Sequence, residues 1–184
     1  MGVIINRKQV AYDGKAFRVV SENITLPNGS TTEMDVIRHP GAAAIVPLAD
    51  SETVILIRQY RHAVEDHIWE IPAGTLEPGE APLDCARREL TEETGYSAGT
   101  FEKIGEIVPV PGYSDERIHL FVASGLTAGD QNLDEGEWLE VHRIPFAEVL
   151  EMIRSGKIVD GKTITGLLLA EQRRDGAEGK GHGA

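Results

Sequence analysis

The sequence predicts an α/β fold: an α/β/α sandwich around a mixed β-sheet, with an antiparallel β-strand extension at the N-terminal end. Three observations carry the prediction. Short apolar runs bounded by turn residues read as strands along most of the chain. Segments with helical features lie among them, following Pro82 and over 145–155 and 163–172. Strands interleaved with helices favour helices layered on a sheet. The 184 residues are enough for a domain with a proper core, and an apolar content of 41% with 26% charged residues is ordinary for a globular protein.

At the N-terminal end, residues 8–38 read as antiparallel strands. Ala16–Val20 and Glu33–Ile37 are strand-like, and Pro27-Asn28-Gly29-Ser30 between them is a hairpin turn. Residues 1–40 therefore form a semi-independent β region ahead of a main domain over 41–172. Ala42–Leu48 and Thr53–Arg58 are buried-strand candidates separated by Asp50-Ser51-Glu52. Pro82 suits a first helical turn and Gly95 a left-handed stop, which brackets a helix. Phe101–Val108 and Arg117–Ala123 are further strands around a rigid Pro/Gly loop at 109–116. An acidic loop at 130–137 precedes strand Trp138–His142. Phe146, Val149, Leu150 and Ile153 give the stripe of one helix, and Thr163–Gln172 is a Leu-rich second one. From Arg173 the chain is Gly-rich and charged and is expected to be a disordered tail, 173–184.

A net charge of −12 and a pI near 4.9 weigh against nucleic acid or an acidic membrane surface as partner. No apolar run resembles a membrane span or a signal segment, and the single cysteine, Cys85, excludes an intrachain disulfide. A reducing cytoplasm fits both. Cys85 itself reads as a small packed residue rather than a nucleophile. The six histidines lack zinc-like spacing.

The chemistry concentrates in Gly74–Tyr96, GTLEPGEAPLDCARRELTEETGY. On a helix, Glu89, Glu92 and Glu93 share one face, at i,i+3 and i,i+4. Each like-charged pair costs roughly 0.2–0.5 kcal/mol on an exposed helix, more where screening falls. A divalent cation would reverse that sign, and oxygen ligands suit Mg²⁺ or Mn²⁺. The plainer reading is a solvated acidic helix. The intervals decide between them. Gly74, Glu80, Arg88-Glu89-Leu90, Glu92-Glu93 and Gly95-Tyr96 resemble the Nudix box at every specified position, with Tyr96 a mild departure from the usual aliphatic residue.

That resemblance implies the Nudix fold and hydrolysis of a nucleoside diphosphate linked to another moiety, with two or more Mg²⁺ or Mn²⁺ ions. It makes Glu89 and Glu93 direct metal ligands, and Glu92 a ligand or a water-mediated one. Arg88 and Glu80 become loop braces. The elements Gln59-Tyr60-Arg61, Trp69-Glu70-Ile71-Pro72-Ala73-Gly74 and Pro111, within Pro111-Gly112-x-Ser114-x-Glu116, look like the ADP-ribose pyrophosphatase branch. Arg61 is then a phosphate-binding arginine. Glu70 binds substrate or a second metal, or is a structural hydrogen-bonding residue. The carbonyl of Ala73 ligates metal, and Glu116 contacts substrate or metal-bound water. In the acidic loop, Glu135 falls at the general-base position and Glu137 at an auxiliary or metal position. Glu92 and Glu89 are rivals for the base. The branch also implies a homodimer joined through the N-terminal strands.

The expected activity is metal-dependent cleavage of the diphosphate of ADP-ribose or another nucleoside diphosphate sugar, giving a nucleoside monophosphate and a sugar phosphate. A GDP-mannose-type or broad-specificity hydrolase would look much the same. The other class is a silent Nudix-like module that binds ADP-ribose. The full set of clustered acids argues against it.

Overall fold

The structure is a computed structural model that describes residues 2–133 and 136–178. Among them the chain forms two compact units: residues 2–41 with 108–117, and residues 42–107 with 118–133 and 136–178.

The smaller unit is a three-stranded antiparallel sheet, β1 (Ile4–Asp13), β2 (Arg18–Thr25) and β3 (Thr31–Arg38), in that spatial order. The expected hairpin joins β2 to β3. Gly29 takes φ 84°, and Asn28 Oδ1 accepts the Ser30 N–H at 3.0 Å, so the turn is held by side-chain chemistry visible in the sequence. Residues 108–117, assigned from sequence to the main domain, belong to this unit. Ile37 N–H donates to Tyr113 O at 2.7 Å and Asp115 N–H to Ile37 O at 3.1 Å, a pairing across 76 and 78 positions that no local pattern announces.

The larger unit holds two sheets. Strand β5 (Thr53–Arg61) lies between β6 (Asp66–Glu70) and β10 (Leu139–Pro145), all antiparallel. The other sheet has the order β7–β4–β9–β8, formed by β4 (Ala42–Pro47), β7 (Ala73–Thr75), β8 (Tyr96–Ile107) and β9 (Ile118–Ala128). It is mixed, since β4 pairs parallel with β9 and antiparallel with β7.

Strand β4 shows why helices cover both faces. Its side chains alternate: Ala42, Ala44 and Val46 enter one apolar cluster, Ala43 and Ile45 another. The first cluster takes Phe146 and Val149 of α2 (Phe146–Arg154) and Leu167 and Ala170 of α3 (Gly161–Glu178). The second takes Cys85, Ala86 and Leu90 of α1 (Pro82–Thr94). Leu90 is fully buried, which stabilises by about 1.5–3 kcal/mol. Tyr96 packs against this second cluster, so an aromatic ring serves where an aliphatic residue is usual. The α/β/α arrangement is thus observed.

Helix α3 corrects the expected tail. It starts at Gly161 and continues to Glu178, past the boundary drawn at 172. Tertiary contacts hold a stretch whose composition alone argues for disorder. Arg173 pairs with Glu102, and Arg174 lies over the Phe146 ring, 4.4 Å from its centroid, and donates to the Ser51 carbonyl. Residues 179–184 lie outside the described residues. Among the described residues, no helix is long and apolar enough to cross a membrane.

Candidate active site

Helix α1 positions the acids. Pro82 opens it, and Gly95 closes it at φ 73° with its N–H on Thr91 O at 2.8 Å. The buried stripe Cys85, Ala86 and Leu90 fixes the rotation of the helix, which turns Glu89 and Glu93 toward β7. Gly74 of β7 leaves room for them: a Cβ there would overlap the Glu89 carboxylate.

Arg88 organises the loop before the helix. Its Nε and Nη2 donate to the two oxygens of Glu80, both at 2.9 Å, and Nη2 also reaches Thr75 O at 3.2 Å. Glu80 in turn accepts the Glu77 N–H at 2.9 Å. The Arg88 guanidinium holds the Glu80 carboxyl down at about 2. Nη1 of Arg88 donates to Glu89 Oε1 at 2.5 Å and to Glu92 Oε2 at 3.1 Å. The repulsion inferred from spacing is therefore relieved in part by Arg88, for Glu89 and Glu92. Burial pushes the Glu89 carboxyl up, against Arg88, and the charges of Glu92 and Glu137 add to the rise.

Glu93 is placed differently. It is only 4% exposed, and its Oε2 accepts the Ala73 N–H at 2.8 Å. Burial pushes its carboxyl up to about 8; the Ala73 N–H and Arg61 oppose this, while Glu89 and Glu137 add to it. Ala73 is thus beside the cluster through its N–H. Glu137, 44 residues further along the chain, is near enough for its charge to act on both Glu89 and Glu93. The loop that leads toward it is tied to the end of α1. Gln131 Nε2 donates to Glu93 O at 2.6 Å and Asn132 N–H to Glu92 O at 3.0 Å. Glu135 lies outside the described residues.

Arg61, beside the β5–β6 turn, reaches back along the hairpin to Glu70, which pairs with Ile57. Glu70 is 2% exposed; its Oε2 accepts from Gln59 Nε2 at 2.5 Å and from Arg61 Nε at 2.9 Å. Its Oε1 accepts from Lys162 Nζ at 2.6 Å. Both Glu70 oxygens are thus engaged by protein donors. Lys162 had no signal of its own in the sequence. Asp160 and Thr163 around it form a helix N-cap pattern, but that pattern names no partner for the lysine. Glu116 belongs to the smaller unit, where its carboxylate stands 3.7 Å from His39 Nδ1. Cys85 is fully buried, its thiol donates to Gly74 O at 3.5 Å, and burial pushes it up to about 12. A nucleophilic role is incompatible with that.

Among the described residues, no three His, Cys, Asp or Glu side chains are already gathered closely enough to hold a cation. Arg88 takes Glu89 and Glu92, and the Ala73 N–H takes Glu93. The residues nonetheless fit a hard divalent ion. The donor set is oxygen only, Glu93 is a carboxyl raised chiefly by burial with Glu89 and Glu137 adding to the rise, and the absent side chain of Gly74 leaves room for the Glu89 carboxylate.

The family model described as the NUDIX domain matches residues 38–165. An ADP-ribose pyrophosphatase of Bacillus subtilis is 38% identical over 158 residues, 85% of each chain. A protein named methanol dehydrogenase activator, from Bacillus methanolicus, is 36% identical over 170 residues, 89% of this chain and 92% of that one. A GDP-mannose pyrophosphatase of Salmonella typhimurium is 36% identical over 164 residues, 80% of this chain and 83% of its own. Among solved structures, one described as an ADP compounds hydrolase matches with a TM-score of 0.85 over 96% of both chains at 24% identity, a likeness of fold. The chain belongs to the Nudix family.

Proposed function

We propose that this chain hydrolyses the diphosphate bond of ADP-ribose or a related nucleoside diphosphate sugar, giving a nucleoside monophosphate and a sugar phosphate. The observation that carries the reading is geometric: Glu89 lies against Gly74 and Glu93 on the Ala73 N–H of β7, and the end of the helix that carries them is tied to the loop before β10 through Gln131 and Asn132. Two or more Mg²⁺ or Mn²⁺ ions, held by Glu89, Glu92, Glu93, Glu137 and the Ala73 carbonyl, would neutralise the diphosphate and acidify water. Arg61 binds phosphate oxygens through its outer nitrogens. Glu135 takes the proton of the attacking water, with Glu92 and Glu89 as rivals for that role. Glu116 contributes a substrate contact. The names of relatives support both ADP-ribose and GDP-mannose as substrates, so the second remains a competing reading.

The test is a panel of ADP-ribose, GDP-mannose, UDP-glucose and deoxynucleoside triphosphates, with and without Mg²⁺, with products resolved by anion exchange. Metal-dependent release of AMP and ribose phosphate supports the first reading, and preferential release of GMP the second. Binding of ADP-ribose without turnover of any compound would overturn both in favour of a binding module.

We also propose a homodimer joined through the N-terminal strands, in a cytoplasmic protein. Ile4, Ile5, Val10 and Tyr12 of β1 are each at least half exposed in the single chain, apolar surface that a second copy would cover.

A further inference from the structure

We propose that Lys162, in the first turn of α3, is a positioning residue for Arg61 and acts through Glu70. The inference rests on the reading of Arg61 as the phosphate-binding arm.

Glu70 is a buried carboxylate, and such a group is stable in its charged form only when its oxygens are well partnered. The partners are divided by oxygen. Oε2 serves β5, through Gln59 and Arg61, and Oε1 serves α3, through Lys162. This division decides how Arg61 is held. An arginine facing a free carboxylate closes on it with two parallel hydrogen bonds. Here Oε1 is taken by the lysine, so Arg61 donates through Nε alone. Among the described residues Nη1 and Nη2 make no hydrogen bond, and 43% of the side chain is exposed. The end of the guanidinium suited to phosphate is left free of Glu70.

Lys162 is itself fixed. It is 13% exposed, and its Nζ also donates to Asp160 Oδ2 at 3.0 Å. The same oxygen accepts the Thr163 N–H at 2.9 Å and its hydroxyl at 2.5 Å. The Thr163 Oγ1 then accepts the Ile71 N–H at 2.9 Å, at the residue that follows Glu70. The start of α3 is thereby stitched to the end of β6. Two cations, Arg61 and Lys162, balance two anions, Glu70 and Asp160. Removing Lys162 leaves Arg61 as the charge partner of Glu70 and frees Oε1. The guanidinium then swings inward to a two-pronged grip and withdraws from the substrate.

The test is a mutant cycle on the full chain, with kcat and KM for ADP-ribose measured at saturating Mg²⁺ and folding checked by circular dichroism. The variants are Lys162→Met, Arg61→Ala and the two combined. Lys162→Met should raise KM about 10- to 100-fold with kcat within about threefold, the signature of a lost binding contact. On the Arg61→Ala background the same change should add almost nothing. Should Lys162→Met fail to fold, Lys162→Gln keeps a polar group beside Asp160 but is one atom too short to hold Oε1, and is expected to raise KM alike. The inference is overturned if Arg61→Ala raises KM while the lysine variants do not, or if the two effects multiply. A KM unchanged in Arg61→Ala would instead sink the reading of Arg61 as the phosphate arm, and the positioning role with it.

Discussion

Replacing Gly74 with alanine separates stability from function in this protein. The added Cβ would occupy the position of the Glu89 carboxylate. Backbone strain is not at issue, because Gly74 is outside the set of glycines with positive φ and pairs with Ala43 in the ladder of β7 and β4. The obstacle is the far end of a flexible side chain, so Glu89 turns aside and the sheet stays. The cost is the charge-assisted bond from Arg88, about 1 kcal/mol for a partly exposed pair. Against it stands a gain of about 0.4–1 kcal/mol from the smaller freedom of alanine in the unfolded chain. The midpoint of thermal unfolding should therefore move by no more than about 4 °C. Function should fall much further, since a misplacement of about 1 Å near the chemistry costs on the order of 10²-fold. The assay is kcat/KM for ADP-ribose across a Mg²⁺ titration, beside a thermal melt. Gly79→Ala is the control. It meets open space but sits at φ 82°, so it should lose about 1–2 kcal/mol of stability and keep its activity. If Gly74→Ala keeps kcat/KM within about threefold at an unchanged Mg²⁺ half-saturation, the placement of Glu89 by Gly74 does not matter to catalysis.

In EDTA, stability should fall as pH rises. The Glu93 carboxyl is raised from 4.5 to about 8 in the folded chain, so its contribution is complete below 4.5 and lost as pH rises through 8, on the order of a few kcal/mol. Melts of wild type and Glu93→Gln at pH 6 and 9 check this, and parallel losses in the two proteins would refute it. Glu80 works in the opposite direction. Its carboxyl is lowered from 4.5 to about 2, so its contribution is present above 4.5 and disappears as pH falls through 2. Glu80→Gln should cost about 1 kcal/mol at pH 7, allowing for solvent screening, and only a small part of that at pH 2; a denaturant titration at each pH reads the difference. Cys85, buried and raised to about 12, should resist iodoacetamide at pH 8 until urea unfolds the chain, and rapid labelling of the native protein would contradict its burial. Light scattering should give twice the 20.0 kDa chain mass, and Ile5→Lys with Val10→Lys should halve it; a wild-type mass of one chain ends the dimer reading.

Much of the fold was legible because its signals are local. The turn Pro27-Asn28-Gly29-Ser30 was read from residues that hydrogen-bond one another. The helix was bracketed by Pro82 and Gly95, whose backbone preferences act at the residue itself. Misreadings arose where distant contacts override local composition. Arg173 and Arg174 read as the start of a tail and are held in α3 by Glu102, Phe146 and Ser51. Residues 108–117 read as part of the main domain and pair instead with β3 through Ile37.

The same division runs through the active site. Three acids on one face of α1 follow from 3.6 residues per turn, so the sequence by itself determined that Glu89, Glu92 and Glu93 stand together. Tertiary structure alone decided what surrounds them: that Glu137 comes within range of Glu93, and that Glu70 spends its oxygens on Gln59, Arg61 and Lys162. Helical spacing is set by covalent geometry within a few residues. The lysine lies 92 positions from its carboxylate, and only the packing of α3 against the sheet brings the two into contact.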